Sequence, residues 1–243
     1  MKQGKRYRRM EETRAQVLQY AVTRVLEQGY RETTLDQIAK GIDRTKGAVL
    51  RAYPDKEAIL YALVTHMFRA QFSTTRSMLG ENADPLLIYC VETALQLHIC
   101  ELSEPIQDLY TAAYTLPTTS DYIYRSTAQE LQQIFGRYLP NAAQSDFYEL
   151  DLVSGGMMRG LMAHKCDMYF TIEKKIALFL RCALKIYDVP AQEREAVIPQ
   201  VLAMDLAAMA RSMVENTVRL AQAGFDSDTL RASASDEQEA DMP

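Results

Sequence analysis

Apolar residues recur along this chain at steps of three and four positions, the spacing that places them on one face of an α-helix. The first such segment runs from about residue 9 to residue 28. Gly29 follows it, and glycine is the residue that most readily ends a helix in the left-handed conformation. Thr13 and Gln16 have the spacing of a capping pair, so the pattern predicts a long first helix that Thr13 caps or that begins one turn earlier.

Two short helical segments come next. Thr34 and Gln37 have the spacing of a capping box, which predicts a second helix that stops near Gly41. A third helix is predicted from Thr45 to about Ala52, because the Tyr-Pro pair that follows disfavours further helix.

The remainder also has helical periodicity. Asp55 is placed to cap a fourth helix that reaches about Leu79, and prolines lie at or near most later breaks. Pro199 falls inside the last segment and predicts a kink or split there. Glycine and proline are scarce, at 10 and 8 of 243 residues, which favours an all-α fold because strands and their turns use more of both. The later helices are predicted over 85–102, 104–116, 119–138, 145–169, 171–188 and 190–223.

Charge divides the chain unevenly. Residues 1–60 hold 13 Lys and Arg against 8 Asp and Glu, whereas the remainder holds 14 against 24. A basic end on an acidic protein indicates one surface suited to a polyanion, although a chance distribution of solvated charges is the alternative. We predict a small basic domain over 1–54, a larger helical domain over 55–225 and a disordered tail over 226–243.

A longer helix followed by two short helices and a tight turn is the layout of a helix-turn-helix domain. The second short helix enters the DNA major groove with its N-terminal residues. Here that helix begins with Thr45, Lys46 and Gly47. Gly47 lets the backbone approach another surface, and its alternative interpretation is a simple packing glycine.

These residues and those around them resemble the pattern of a known family. Residues 29–39 read GYRETTLDQIA, and TKG at 45–47 is followed by RAYPDKEA at 51–58. The combined spacing resembles the DNA-binding segment of TetR-type regulators over roughly residues 10–60. The resemblance implies a three-helix N-terminal domain and a larger helical domain that binds a ligand and dimerises.

The turn departs from the family pattern. Asp43 and Arg44 stand where the family usually has a glycine and a small apolar residue. Aspartate tolerates the left-handed conformation, so Asp43 still suits the turn, and Arg44 is expected to point outward. Leu50 and Ala52 replace aromatic residues that commonly contact DNA in the family, so compensation by Arg44 and Arg51 is one prediction and unusual operator contacts are the other.

The resemblance implies DNA-contact roles for several side chains. Thr34 would offer its hydroxyl and N–H to a phosphate, and Lys56 would bind the DNA backbone. Ala48 would touch a thymine methyl group, while an arginine would read guanine. Arg6, Arg8 and Arg9 are predicted either to form an arm along DNA or to remain a solvated tail. The full predicted contact set is Thr34, Arg44, Thr45, Lys46, Gly47, Ala48, Arg51, Lys56, Arg6, Arg8 and Arg9.

Two surfaces of the larger domain are candidates for dimerisation. One combines residues 152–162, which contain small residues at Ser154–Gly156 and Gly160, with the broad apolar face of residues 172–186. Both segments have an alternative interpretation as internal core helices. The rival interface is the last helix, with Leu202, Leu206, Met209, Met213 and Val214.

Aromatic and methionine side chains are typical of adaptable ligand pockets, in which a few hydroxyl or imidazole groups supply polar contacts. Each of these side chains, taken alone, is more often part of the hydrophobic core than of a ligand pocket. The predicted effector-binding residues are Met67, Phe72, Tyr89, Thr93, Leu97, His98, Tyr110, Tyr114, Tyr122, Met157 and Met158.

The chain shows no phosphate loop, metalloprotease motif or nucleophile elbow, so we expect neither an enzyme nor a cofactor. His164, Cys166 and Cys182 have poor spacing for zinc, which leaves a metal or redox sensor as a minor alternative. No run of about 20 apolar residues or secretion signal is visible, so we expect a cytoplasmic protein without membrane contact.

The sequence therefore predicts a homodimeric repressor that binds double-stranded operator DNA at an inverted repeat and is released by a small-molecule effector. Two alternatives stay open. One is a DNA-binding regulator without such a ligand. The other is a helical small-molecule-binding protein with a degenerate DNA domain.

Overall fold

The computed structural model describes residues 2–69, 71–80 and 82–223, with the side chains of 2–7, 69, 71 and 220–223 left out of the description. The predicted tail over 226–243 lies outside the described residues. The helices are α1 (Lys2–Gln28), α2 (Leu35–Gly41), α3 (Lys46–Ala52), α4 (Lys56–Arg69), α5 (Gln71–Leu79), α6 (Pro85–Cys100), α7 (Glu104–Ala113), α8 (Pro117–Phe135), α9 (Gln144–Ala163), α10 (Ile172–Ile186), α11 (Ala191–Leu202) and α12 (Leu206–Ala223).

The described residues form no strand, which confirms the all-α prediction. The first helix differs from its prediction because it already includes Lys2. Thr13 therefore lies inside α1, where its hydroxyl donates to the carbonyl of Arg9 at 2.8 Å instead of capping the helix. The end of α1 is as predicted, since Gly29 has φ +89°.

The caps of the short helices follow the sequence closely. Thr34 accepts from the Gln37 N–H and donates its own N–H to the Gln37 side chain, which completes the predicted capping box. Asp43 has φ +53°, and the Arg44 N–H donates to the carbonyl of Ala39 at 2.9 Å. This is a Schellman motif, which ends α2 and turns the chain toward α3. Aspartate therefore takes the place that glycine usually fills.

Two cores organise the molecule. The smaller one joins the first four helices through side chains such as Val17, Ile38, Val49 and Ile59. The larger one surrounds α6, in which most side chains are buried. One side of α4 contributes Ile59 and Leu63 to the small core while Leu60 and Val64 belong to the larger one, so α4 connects the two parts.

The chain bends sharply between α11 and α12. The two helices meet at 69°, and the break lies between Leu202 and Leu206. Pro199 stands inside α11, so the split predicted at this proline occurs a few residues later. Within the described ranges no single helix is long and apolar enough to cross a membrane. Only the bent pair α11 and α12, taken together, has the necessary length and apolar composition.

The surfaces predicted for dimerisation lie partly inside the chain. The apolar face of α10 is internal, since Ile176, Phe179 and Leu184 are buried in the larger core. On the rival face, around α12, only Leu206 is buried, so this face stays a prediction; its other residues are half-buried, namely Leu202, Met209, Met213 and Val214. Amphipathicity cannot distinguish a face that meets a partner from one that meets the same chain.

What α9 and α10 leave exposed is a different surface. Leu152, Val153 and Leu178 are exposed by 42%, 55% and 40%. Gly156 and Gly160 are exposed as well, and a Cβ built on either meets no described atom within 4 Å. We call these five residues the outer α9–α10 face.

Candidate functional site

The outer face of α3 carries two cations, a glycine and an apolar side chain. Lys46, Gly47, Leu50 and Arg51 are all exposed, and their spacing puts them on one side of the helix. Val49 and Ala52 lie on the opposite side in the small core. This face joins positive charge to a surface that can fit closely against another molecule.

Gly47 is not held by packing within the chain. A Cβ built at this position meets only the Arg51 guanidinium, at an ordinary 3.7 Å. By contrast, a Cβ at Gly41 would stand 1.9 Å from the Tyr20 ring, so that glycine is needed for α1 and α2 to pack. The packing interpretation thus suits Gly41, whereas Gly47 keeps α3 open on its outer side.

Lys46 has a partner in this structure. Its ammonium group donates to the Asp36 carboxylate at 2.9 Å, and the side chains are 51% and 70% exposed. An exposed ion pair contributes only about 0–1 kcal/mol, so Lys46 can exchange Asp36 for a phosphate at small cost.

The threonines at the helix starts are engaged as caps. Thr45 accepts from the Ala48 N–H at 3.2 Å, and the Thr34 N–H and hydroxyl both donate to the Gln37 side chain. A phosphate contact by Thr34 would therefore require Gln37 to move. Ala48 is half-buried, and Arg44 is exposed in the turn, as expected from its outward orientation.

Lys56 clamps the turn after α1. Its ammonium group donates to the carbonyls of Tyr30 at 3.1 Å and Arg31 at 3.3 Å, and it stands 4.4 Å from the centre of the Tyr30 ring. An ammonium group has three donors, so one remains for a phosphate. The side chain therefore positions the turn whether or not it also touches DNA.

The basic N-terminal segment is helical where the sequence predicted an arm or a solvated tail. Arg8 and Arg9 are exposed on the first turns of α1. Arg6 belongs to the same helix, and its side chain lies outside the described residues. Positive charge at this end is thus carried on a helix.

One cavity lies inside the larger domain and has a polar wall. Its volume is about 30 Å³, close to the space of a single water molecule. Five of the predicted effector-binding residues line it, namely Phe72, Tyr89, Thr93, Tyr114 and Met158. Gln96, Thr127, Asp151 and Ser154 supply its other polar groups. We call it the polar cavity.

Asp151 is the acidic centre of the polar cavity. Its carboxylate accepts from the Thr127 hydroxyl at 2.6 Å and from the Ser154 hydroxyl at 2.8 Å. Burial raises the pKa of this carboxyl from 3.8 to about 6, while hydrogen bonds from Thr127, Ser154 and Tyr187 oppose the rise. The site therefore offers a hydrogen-bond acceptor whose charge changes in weakly acidic solution.

A second acidic group stands nearby. Glu92 is buried, and its carboxylate accepts from the Thr75 hydroxyl and from the Gln96 amide at 3.3 Å. Gln96 in turn accepts from the Tyr114 hydroxyl at 2.8 Å. Burial raises the pKa of Tyr114 well above 10, so this phenol remains a donor. Hydrogen-bond donors and acceptors thus form a connected network along the cavity wall.

Another cavity lies between the DNA-binding domain and the larger domain. It has a volume of about 90 Å³ and takes in Met67 and Tyr110 from the predicted set. Its walls come from α1, α4, α6, α7 and α12, and they are mostly apolar. We call it the interdomain cavity.

Four predicted effector residues line neither cavity. Leu97 is fully buried core, and Met157 is half-buried against that core. The ring of Tyr122 packs edge-on against Tyr61 with centroids 5.4 Å apart. His98 is half-buried, its Nδ1 has no described partner, and burial lowers its pKa. Residue type alone did not distinguish these positions from the cavity walls.

Sequence reasoning missed Asp151, although a signal was present. Phe147, Asp151, Ser154 and Met158 follow one another at helical spacing, and the other three are buried. A carboxylate on an otherwise buried stripe needs partners, and it often marks a site. Leu50, exposed by 38% among the α3 cations, was noted only as a departure from a family pattern.

The minor metal alternative finds no geometric support in the part of the chain that is described. Within it, no group of three or more His, Cys, Asp or Glu residues is placed to hold a metal ion. Cys166 instead donates its N–H to the Glu101 carboxylate at 3.3 Å.

Comparison with known proteins supports the regulator interpretation. Residues 18–63 match the family described as bacterial regulatory proteins, tetR family. No curated protein matches the chain. Among solved structures, RolR in complex with the ligand resorcinol is similar with a TM-score of 0.63 and 16% identity, covering 79% of this chain and 95% of the RolR chain. At that identity the likeness shows a common fold.

Proposed function

Since the chain carries the DNA-binding domain of the tetR family, it is a DNA-binding regulator, and we propose that it is a homodimeric repressor released from its operator by a small molecule. The outer face of α3 is the observation that carries the proposal. It is exposed, basic and free of bulky side chains at Gly47. Such a face suits a helix that enters the major groove.

Each residue on this face has a role in the proposal. Lys46 leaves Asp36 for a phosphate, and Gly47 allows the start of α3 to approach the DNA backbone. Arg51 reads a guanine edge, as arginine does with its paired donors. Leu50 touches a thymine methyl group, which gives an exposed apolar side chain a favourable contact. Together these residues combine electrostatic attraction to the phosphates with recognition of the base sequence.

Two copies are needed to read an inverted repeat, and the outer α9–α10 face supports a two-fold pairing. Its exposed leucine and valine side chains would bury apolar surface in a dimer. The open positions at Gly156 and Gly160 allow a partner helix to approach closely. A self-complementary patch of this kind suits a two-fold interface.

The polar cavity is the proposed effector site. Its apolar walls with hydroxyl groups and an acidic acceptor suit an aromatic ring that carries hydroxyl groups. The similarity in fold to RolR, whose structure contains resorcinol, points to the same class of compound. In this proposal Asp151 accepts from a ligand hydroxyl.

The small volume of the polar cavity suggests how effector binding would release the protein from its operator. A ring cannot enter about 30 Å³ of space, so binding must spread the surrounding helices. One of them is α8, which contacts α4, and α4 extends into the small core of the DNA-binding domain. Spreading therefore changes the distance between the two α3 helices of a dimer. By linkage, operator DNA must weaken effector binding by the same factor.

The same small volume favours a second candidate. A regulator without a small-molecule effector would keep its larger domain closely packed, and about 30 Å³ is little space. Such a protein would respond to its own concentration or to a protein partner. Resorcinol titration separates the two candidates.

The test begins with footprinting of the chain on its own promoter region, followed by fluorescence anisotropy on the protected duplex. A protected inverted repeat, with affinity that falls steeply with salt, is expected. The double variant Lys46→Ala, Arg51→Ala should lower the affinity at least about 100-fold while it stays folded and dimeric. Its matched control is Lys40→Ala, an exposed cation at the end of α2.

Resorcinol should then weaken operator binding of the wild type and fail to do so with Asp151→Asn. Absence of a protected site would contradict the repressor proposal. A protected site that resorcinol and other dihydroxybenzenes leave unchanged would favour the second candidate.

A further inference from the structure

The interdomain cavity is a different kind of space from the polar cavity. Val22, Val25 and Leu26 of α1 form one wall, and Leu63 and Met67 of α4 extend it. These two helices also build the small core of the DNA-binding domain. The cavity therefore lies directly against the part of the molecule that carries α3.

The opposite wall belongs to the larger domain. It is formed by residues from the last turn of α6, from α7 and from α12, namely Ile99, Ile106, Leu109, Met213 and Val214. The described lining has three polar side chains, His66, Tyr110 and Thr217, and no acidic one. Because the other lining residues are apolar and none is a charged Asp, Glu, Lys or Arg, a charged ligand would lose more hydration here than three polar side chains can replace, so the lining favours uncharged, largely apolar molecules.

The volume limits the size of such a molecule. An engineered protein cavity of about 150 Å³ with leucine, isoleucine and phenylalanine walls stays dry and binds benzene. The interdomain cavity has about 90 Å³, and methionines at positions 67 and 213 stand on opposite walls. Methionine side chains are unbranched and rearrange readily, so the cavity can widen to admit one ring.

We propose that the interdomain cavity is a second binding site, distinct from the polar cavity, for an uncharged apolar molecule of about one aromatic ring. A ligand there touches α1 and α4 on one side and α6, α7 and α12 on the other. It therefore sets the spacing between the two domains directly. This consequence for operator binding rests on the proposed function, whereas ligand binding itself does not.

Binding is tested with benzene as the probe on the full chain labelled with ¹³C at the methionine methyl groups. Met67 and Met213 line the interdomain cavity, and Met158 lines the polar cavity. Benzene should shift the resonances of the first two in a saturable manner and leave that of Met158 in place. At about tenfold the Kd, the unfolding midpoint should rise by roughly 3–6 °C.

The variant Val214→Phe fills the cavity from α12 and should weaken benzene binding at least tenfold. Thr217→Leu fills the same space from the next turn and serves if the larger substitution disturbs folding. Asp151→Asn is the matched control, because it alters only the polar cavity and should bind benzene as the wild type does. The proposal is overturned if Met67 and Met213 do not respond, if Met158 responds equally, or if both filled variants still bind.

Operator binding is measured in the Asp151→Asn background, in which the proposed function expects no response through the polar cavity. Benzene should change operator affinity there by at least about threefold, and the change should vanish in the combination with Val214→Phe. Benzene binding without any change in operator affinity would overturn the link between the domains. Failure to bind any operator would count against the proposed function and leave the methionine result standing.

Discussion

Asp108 on α7 accepts a hydrogen bond from the backbone N–H of Arg31, with its Oδ2 2.7 Å from the nitrogen. The same carboxylate pairs with the Arg31 guanidinium. A Cβ added at Gly29 would lie 3.0 Å from the same oxygen, so the close approach needs a glycine there. On the other side, Lys56 donates to the carbonyls of Tyr30 and Arg31. The turn between α1 and α2 is thus held by α7 on one side and by the start of α4 on the other.

We predict that Asp108→Ala loosens the DNA-binding domain. The substitution removes the acceptor of a backbone N–H, and loss of a charge-assisted hydrogen bond costs about 1–3 kcal/mol. The free energy of unfolding should fall by that amount in urea titrations. Amide hydrogen exchange at Arg31 should accelerate at the same time.

The control for this prediction is Arg31→Ala. The Arg31 side chain is 82% exposed, so its ion pair should contribute little, and the backbone hydrogen bond survives the substitution. Equal losses in the two variants would show that the ion pair, and not the backbone contact, holds the domains together.

A second prediction concerns Gly47. Gly47→Ala meets no crowding within the chain and places alanine in a helix, so thermal stability should stay level or rise. If the backbone of α3 approaches DNA at this point, the added methyl group should lower operator affinity about tenfold, as expected for loss of one contact to a charged group. Anisotropy titrations and thermal melts measure the two effects on the same preparation.

The comparison variant is Ser212→Ala, which also raises helix propensity at an exposed helical position but lies on α12, away from α3 and from the outer α9–α10 face. It should keep or raise stability without altering operator affinity. An unchanged operator affinity for Gly47→Ala would contradict the proposed docking of α3.

The local features of the DNA-binding domain could be predicted from sequence because each depends on neighbouring residues. The capping box needs only Thr34 and Gln37, and the turn needs only a residue such as Asp43 that tolerates positive φ. Capping was misjudged at Thr13 because α1 begins earlier than the apolar pattern does. Polar helical turns without an apolar face leave no periodic signal.

The site in the larger domain could be predicted only in part. Tyr89, Thr93 and Met158 do line the polar cavity, yet Leu97 has a similar apolar setting and is plain core. The difference depends on which helices meet, and this arises from contacts far apart in sequence. The same reason explains α10, whose apolar face points inward.

A third prediction concerns dimerisation through the outer α9–α10 face. Val153→Arg places a charge at a side chain that is 55% exposed, so the monomer should keep its fold while the dimer Kd rises at least 100-fold. Sedimentation equilibrium measures the change, and operator affinity should fall with it. Met78→Arg is the matched control, because Met78 is an exposed apolar residue on α5. A stable Val153→Arg dimer would place the interface elsewhere.

The last prediction follows from the raised pKa of Asp151. Its pKa is about 6 in the folded protein against an ordinary 3.8, so the folded state binds more protons than the unfolded chain between about pH 4 and pH 6. The contribution of this group to the free energy of unfolding therefore falls as pH rises through that window and is level above it. Asp151→Asn removes the contribution, and the difference between the two unfolding curves isolates it from all other titrating groups. In the same window, a resorcinol hydroxyl should bind the carboxylate more strongly than the neutral acid, so resorcinol affinity should weaken as pH falls below about 6. A stability difference that stays flat or increases with pH between 4 and 6 would show that the Asp151 carboxyl is not desolvated, and the polar cavity would then be open to water.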